Sequence, residues 1–312
     1  MPVLFRNLDD LPASLHGGAL SIGNFDGVHT GHAEIVGRLV RMARRLGAPA
    51  VVLTFDPHPA RLLRPAEAPA PLTWTQRKAH LLAQLGAEAV VAYPTTPELL
   101  REEPREFFDQ VVLGRLEARG MVEGRNFFFG RDRRGNVESL GRFCDEAGIP
   151  LEVVEPMTAG ESVVSSSRIR RLISAGQIDE ARRLLGRPHR IRGTVVRGRA
   201  RGNRLGYPTA NLDQIDVLLP GEGIYAGRVQ FPSAIYPAAV SVGPNPTFDD
   251  PALKVEAFLL DYQGDLYGQT IEVDFLARLR EIKRFDSAEG LVAQMARDVD
   301  ETRRIAAAAA SE

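Results

Sequence analysis

The sequence predicts an α/β chain in two parts: a doubly wound parallel-sheet domain over residues 1–186, then a small antiparallel β-barrel with a C-terminal helix over 187–312. Three observations carry this. Short continuous apolar runs alternate with helix-periodic segments through the first part, the pattern of strands covered on both faces by helices. A glycine stop followed by a proline, Gly186-Arg187-Pro188, ends that pattern. Beyond it come strand-like segments split by Gly, Pro, Asn and Asp turns, a texture that favours a closed barrel over an open sheet.

In the first part, residues 19–22 form an apolar strand that runs into a loop with glycines at 23, 27 and 31. Ile35, Val36, Leu39, Val40, Ala43 and Leu46 then recur at helical spacing, and Gly47 ends the helix. Residues 50–55 (A-V-V-L-T-F) predict a buried parallel strand stopping at the rigid turn Asp56-Pro57-His58-Pro59. Ligands of open α/β sheets bind at such carboxyl ends. A helix over 76–85 leads to a strand over 89–93. Pro104 suits the first position of a helix, and Phe107, Phe108, Val111, Val112 and Leu116 follow at helical spacing. A short helix holding Cys144 precedes a strand over 151–154. Ser165-Ser166-Ser167 opens the next helix, and residues 174–185 supply the last one of this part.

In the second part, strands are predicted over 191–196, 224–231, 236–242, 254–261 and 270–275. In the last of these Ile271, Val273 and Phe275 alternate with Glu272 and Asp274, the mark of a strand with one face in water. Gln263-Gly264-Asp265 predicts a hairpin turn. A helix from 288 to about 306 closes the chain and leaves a frayed tail.

Hydrophobic content of 44% and charged content of 25% are those of a soluble globular protein. A net charge of −1 argues against a general nucleic-acid or membrane-surface role. The cations are nearly all arginine, with lysines only at 78, 254 and 283. One cysteine excludes an internal disulfide framework and fits a reducing compartment. Residues 1–10 carry charge and no apolar core, and no run approaches the ~20 apolar residues of a membrane span. The expectation is a cytoplasmic protein, monomeric or weakly homo-oligomeric.

Chemistry concentrates first in residues 20–32, L-S-I-G-N-F-D-G-V-H-T-G-H. Strand, glycine loop, two histidines and a helix start follow one another. The first turn of a helix offers unpaired N–H groups and partial positive charge, which suits a phosphate. Gly23 and Gly31 let backbone approach it, Asn24, Phe25 and Asp26 line the loop, and His29 and His32 can donate to phosphate oxygens. A plain tight turn or half a zinc site is the bland reading, but zinc lacks further ligands of suitable spacing. The Ser165-Ser166 start reads as an ordinary N-cap, with Arg168 and Arg170 offering a second phosphate grip.

The second concentration is residues 198–211, G-R-A-R-G-N-R-L-G-Y-P-T-A-N. From Arg187 to Arg204 there are seven arginines and no acid. Two readings stand: an RNA-binding strip, or a flap whose Gly198, Gly202 and Gly206 fold over ATP phosphates. Thr209 and Asn211 present neutral oxygen ligands of the kind Mg²⁺ accepts. There is no P-loop, so a kinase here is of another type.

The string G-N-F-D-G-V-H-T-G-H resembles that of the bacterial bifunctional riboflavin kinase/FMN adenylyltransferases, also called FAD synthetases, and its H-x-G-H element resembles the wider nucleotidyltransferase superfamily. F-D-P-H-P (55–59), E-G-R-N-F-F-F-G (123–130) and V-S-S-S-R-I-R (164–170) continue the likeness. P-T-A-N (208–211), G-I-Y-A-G (223–227), V-G-P-N-P-T-F (242–248), V-E-A-F-L-L-D (255–261), G-D-L-Y-G (264–268) and F-D-S (285–287) are similar to riboflavin kinase strings in the right order.

The resemblance implies a nucleotidyltransferase-like first domain that makes FAD from FMN and ATP, and a barrel that makes FMN from riboflavin and ATP with Mg²⁺. It implies Glu256 as catalytic base, Thr209 and Asn211 on the metal, and His29, His32 and Arg168 at the adenylyl-transfer centre. Phe55, Pro57, Pro59, Asn126, Phe127, Phe285 and Asp286 fall at flavin-side positions. Asn126 stands where many members have Asp, Phe128 where Arg is common, and Ser167 where Thr is usual. Read without the family, Glu256 is equally a strand residue pairing with a neighbour such as Lys254. The rival functions are a single-activity adenylyltransferase and a non-catalytic flavin- or RNA-binding regulator.

Overall fold

Strands covered on both faces build the first of two units, Met1–Ser165; the second is Ser166–Glu312. The computed structural model describes residues 3–160, 162–198, 206–231, 234–245, 247 and 250–310. The first unit begins β1 (Val3–Phe5), β2 (Ala19–Ile22), α1 (Thr30–Leu46), β3 (Ala50–Asp56), α2 (Ala60–Leu63), α3 (Thr75–Gln84) and β4 (Ala89–Pro94). It continues with α4 (Pro104–Phe107), β5 (Gly120–Gly124), β6 (Phe128–Phe129), β7 (Gly135–Asn136), α5 (Val137–Ala147), β8 (Leu151–Val154), β9 (Thr158–Ala159) and β10 (Ser162–Val163).

Six strands lie parallel in the order β1-β4-β3-β2-β5-β8. The order reverses between β2 and β5, so that boundary is the sheet's switch point. Alternate residues feed two cores. Leu20, Ile22, Leu53 and Met121 pack with Phe107, Phe108, Leu140 and Cys144 of the α4/α5 side. Val52, Val90 and Val122 pack with Val36, Leu39 and Leu82 of α1 and α3.

Local chemistry sets the helix ends. His29 caps α1, and Gly47 closes it at φ 59°, a left-handed turn that glycine adopts without strain. Pro104 opens α4 inside a Glu103/Glu106 capping box. From Phe108 to Arg115 the helix widens to π geometry. Leu116 N–H bonds the Val111 carbonyl at 3.0 Å, which keeps Leu116 on the buried face with Val111 and Val112.

The second unit runs α6 (Ser166–Ser174), α7 (Ile178–Leu185), β11 (His189–Val196), β12 (Ala210–Asp213), β13 (Gly223–Gln230), β14 (Ile235–Asn245), β15 (Asp250–Leu259), β16 (Thr270–Arg280) and α8 (Ala288–Ala310). The strands close into an antiparallel barrel, β11-β12-β15-β14-β13-β16. Interior positions such as Val229, Val240, Ala257, Val273 and Phe275 are fully buried.

Five expectations need correction. Gln263-Gly264-Asp265 is no hairpin turn: β15 pairs with β12 and β14, and β16 with β11 and β13, so the segment crosses over. Asp274 does not face water; it is 2% exposed and bonds Arg190 at 2.5 Å and Arg228 at 2.9 Å, a charge pair that burial demands. The last helix of the first part starts at Ile178, because Gly176 takes φ 71° after α6. Helix α8 continues to Ala310, carried by a run of alanine, the best helix former. Ala210 and Asn211, expected at the end of the flap, open β12.

α6 and α7 belong to the barrel's unit. Gly221 N–H donates to the Ile173 carbonyl at 2.9 Å, and the Tyr225 hydroxyl donates to the Gly221 carbonyl. The units therefore meet ahead of the Gly186-Arg187-Pro188 signal.

Candidate functional site

The Gly23–His32 loop joins the carboxyl end of β2 to the start of α1 beside the switch point. Gly23 N–H extends the ladder to the Leu53 carbonyl at 3.0 Å. The chain then turns through left-handed conformations at Phe25 (φ 44°), Gly27 (φ 82°) and Val28 (φ 39°). The Phe25 ring lies over Gly23, where a Cβ would come within 3.2 Å of it, and meets His32 edge-on at 5.2 Å. Asp26 points away from the loop: its carboxylate accepts the Leu72 and Thr73 N–H groups at 3.0–3.2 Å. That makes Asp26 a clamp on the 70–73 segment. Asn24 Oδ1 is buried without a partner among the described residues.

The two histidines stack, with ring centroids 3.6 Å apart. His29 is 5% exposed, and its Nδ1 accepts the His32 N–H at 3.3 Å. An accepting Nδ1 places the ring proton of neutral His29 on Nε2. Gly31 permits this: a Cβ there would sit 3.2 Å from the His29 ring. The H-x-G-H spacing is thus a capping geometry that aims two imidazoles at one helix start.

At the neighbouring carboxyl ends, Phe55 and Phe127 are half-buried against one apolar cluster with Tyr93 and Leu99. Phe127 stacks on Phe129 at 5.3 Å. Pro57 and Pro59 are half-buried in the turn after β3, and the Thr95 hydroxyl bonds the Pro57 carbonyl at 2.5 Å. Asn126 is exposed just beyond β5. Ser165 ends the first unit, and Ser166 opens α6 in the second. Arg168 on α6 pairs with Glu180 of α7 at 2.8 Å, so an ion pair already orients its guanidinium.

The barrel brings the other residues together by register. Asn211 of β12 and Ser241 of β14 both stand opposite Glu256 of β15. All three are half-buried and alternate with interior residues Ala210, Val242 and Val255. Thr209 lies two residues before Asn211, and the Asn211 amide N–H₂ donates to the Thr209 carbonyl at 3.5 Å. This turns Asn211 Oδ1 the other way. Gly198 lies against that amide, where a Cβ would come within 2.4 Å. Gly206 is exposed at φ 85°, while Gly202 lies outside the described residues. Phe285 sits between Arg280 and Lys283, 5.8 and 5.0 Å from its ring, and its N–H bonds Thr247 Oγ1 at 3.3 Å. Asp286 is exposed.

Sequence reasoning missed Lys78 and Glu123, each buried beside the loop. Lys78 Nζ donates to Thr54 Oγ1 at 3.1 Å, and Glu123 Oε1 accepts the Ile22 N–H at 2.6 Å. The signals were present: a rare lysine in an arginine-rich chain, and an acid inside the apolar run M-V-E-G. Among the described residues no group of three His, Cys, Asp or Glu could cage a metal, and no helix is long and apolar enough to cross a membrane.

The first unit thus has a nucleotide-binding α/β architecture with an H-x-G-H helix start, and the second a barrel whose acid and amide meet across strands. The FAD synthetase family model matches residues 11–168 and the riboflavin kinase family model residues 185–306. Curated bifunctional riboflavin kinase/FMN adenylyltransferases are similar along nearly the whole chain. That of Pseudomonas fluorescens is 35% identical over 98% of this chain and 99% of its own. Those of Listeria monocytogenes and Escherichia coli K12 are 33% and 32% identical, covering 91% and 95% of each chain. A solved Streptococcus pneumoniae structure titled a macrolide-efflux protein superposes with a TM-score of 0.85 at 31% identity, over 96% of this chain and 98% of that one. The chain belongs to the bifunctional riboflavin kinase/FMN adenylyltransferase family.

Proposed function

We propose that the barrel transfers the γ-phosphoryl group of ATP to the ribityl 5′-hydroxyl of riboflavin, and that the first unit then joins FMN to AMP. In the first reaction Glu256 accepts the hydroxyl proton while the hydroxyl oxygen bonds the γ-phosphorus, and ADP leaves. A positioned carboxylate supplies such general-base help. Thr209 and Asn211 would hold Mg²⁺: a hydroxyl and an amide oxygen turned from the Thr209 carbonyl are hard oxygen donors, which suit such an ion. That ion would offset charge on the transferring phosphates. Gly198 and Gly206 would serve ATP phosphates rather than RNA.

In the second reaction an FMN phosphate oxygen attacks the α-phosphorus of ATP and pyrophosphate leaves. The phosphate is already ionised at neutral pH, so the site supplies alignment and charge stabilisation in place of a base. His29 and His32 donate at the α1 N-terminus. Phe55 and Phe127 offer the isoalloxazine ring an apolar rim. Both reactions run in the cytoplasm, where the single buried thiol, Cys144, stays protonated, its pKa pushed up to about 12 by burial.

The observation that carries this reading is the pairing of His29 with His32 at one helix start in one unit and of Asn211 with Glu256 in the other. The test is product chromatography with riboflavin, ATP and Mg²⁺, and separately with FMN supplied. Both FMN and FAD are expected. FAD without FMN kinase activity would favour a single-activity adenylyltransferase, and no product at all a regulator.

A further inference from the structure

Three successive residues at the root of the Gly23–His32 loop have their backbone groups tied down by three different neighbours. Pairing between β2 and β5 ends at Leu20 and Met121, so the next N–H of β2 toward the switch point, that of Ile22, has no strand partner there. Glu123 supplies one through Oε1 at 2.6 Å. Gly23 N–H reaches the Leu53 carbonyl at 3.0 Å. The Asn24 carbonyl accepts the Thr54 hydroxyl at 3.1 Å, and Thr54 Oγ1 in turn accepts from Lys78 Nζ at 3.1 Å.

The direction of the last chain is forced. The Asn24 carbonyl can only accept, so the single Thr54 proton must go to it and the Thr54 oxygen accepts from Lys78. Lys78 therefore selects the hydroxyl rotamer that holds the loop. The two anchors reach it from opposite sides of the sheet. Thr54 shares the parity of Val52, on the α1/α3 side, and Glu123 that of Met121, on the α4/α5 side. Glu123 is 2% exposed and Lys78 8% exposed, and burying either group is costly without a bonding role.

We infer that Glu123, and Lys78 acting through Thr54, are positioning residues that fix the root of the phosphate loop for adenylyl transfer; this rests on the reading of that loop as the ATP site. Burial pushes the Glu123 carboxyl well above its ordinary range, which favours the neutral acid that glutamine imitates. Burial pulls Lys78 down while Asp26 and Asp56 favour its charge.

The experiment uses the full chain and measures kcat and KM for ATP in FAD formation from supplied FMN, with riboflavin phosphorylation as the internal control. Thr54→Val keeps the volume and removes the hydroxyl; Glu123→Leu removes the acceptor. Each is expected to lower kcat/KM for ATP about tenfold or more, the loss expected of an unmade buried hydrogen bond and a misplaced loop, with phosphorylation unchanged. Thr54→Ser and Glu123→Gln are expected to restore it. Parental kcat/KM in Thr54→Val overturns the inference, as does a loss in the Ser or Gln variants equal to that in Val or Leu. Should Glu123→Leu fail to fold, Thr54→Val decides. His29→Ala separates the two ideas: intact FAD formation there removes the phosphate-loop reading itself, whereas its loss beside an unaffected Thr54→Val removes only the positioning role.

Discussion

In the first unit ten consecutive residues, Gly23–His32, carry the whole of the proposed anion grip: a glycine under a phenylalanine, a histidine capping the helix, a second stacked on the first. In the barrel no single stretch does this. Glu256 meets Asn211 and Ser241 only because β15 pairs with β12 on one side and β14 on the other. A local grip depends on helix capping and loop conformation, whereas a register-built site depends on every strand that sets the pairing. Damage should therefore stay local in the first and spread in the second.

The largest effects come from exchanging the lesions. Glu256→Gln keeps shape and an acceptor oxygen but cannot take a proton, so FMN formation should fall about 10²–10⁴-fold while supplied FMN still becomes FAD. His29→Ala should do the reverse, lowering FAD formation about 10²-fold or more through lost donors, with FMN formation intact. Both rates are read by product chromatography. Equal loss of both products in either folded variant breaks the comparison.

Next comes the boundary. A fragment starting at Ser166 keeps α6 and α7, whose Ile173, Ile178, Ala181, Leu184 and Leu185 are buried. One starting at Arg187 discards them and exposes what they cover. Removing that burial should cost on the order of 5 kcal/mol, comparable to the whole stability of a small domain. Thermal melts and riboflavin phosphorylation of the two fragments measure it. A fragment from Arg187 that melts with the longer one would restore the glycine-proline boundary.

Much of this was legible in the sequence. Period and caps located β2, α1, β3, α3, β4 and the barrel class, because short-range patterning decides those elements. The loop histidines were legible for the same reason. What stayed hidden depends on pairing between distant strands: β12, whose four residues carry too little pattern, the crossover at Gln263–Asp265, and the burial of Asp274 by Arg190 and Arg228. What Glu123 and Lys78 bond was hidden likewise, since one reaches a backbone N–H and the other a hydroxyl that only the fold brings near.

The smallest predicted effect tests that last pair against the loop they hold. The folded state keeps the proton of Glu123 above the ordinary carboxyl pKa of 4.5, while the unfolded chain releases it there. Between 4.5 and the raised folded value the native state binds more protons, so this group's contribution is full at low pH and declines as pH rises. The decline cannot exceed ~1.4 kcal/mol per pH unit for one proton. Glu123→Gln has no such proton to lose. Relative to the parent it should gain stability steadily as pH rises from 4.5, measured by denaturant unfolding across pH. Lys78 carries the opposite sign: its pKa is lowered from 10.5, so the unfolded chain binds more protons below that value and stability rises with pH there. In Lys78→Met that rise should vanish. A Glu123→Gln curve parallel to the parent's at all pH values would mean that the carboxyl ionises freely when folded, and that the Ile22 N–H faces a carboxylate rather than a neutral acid.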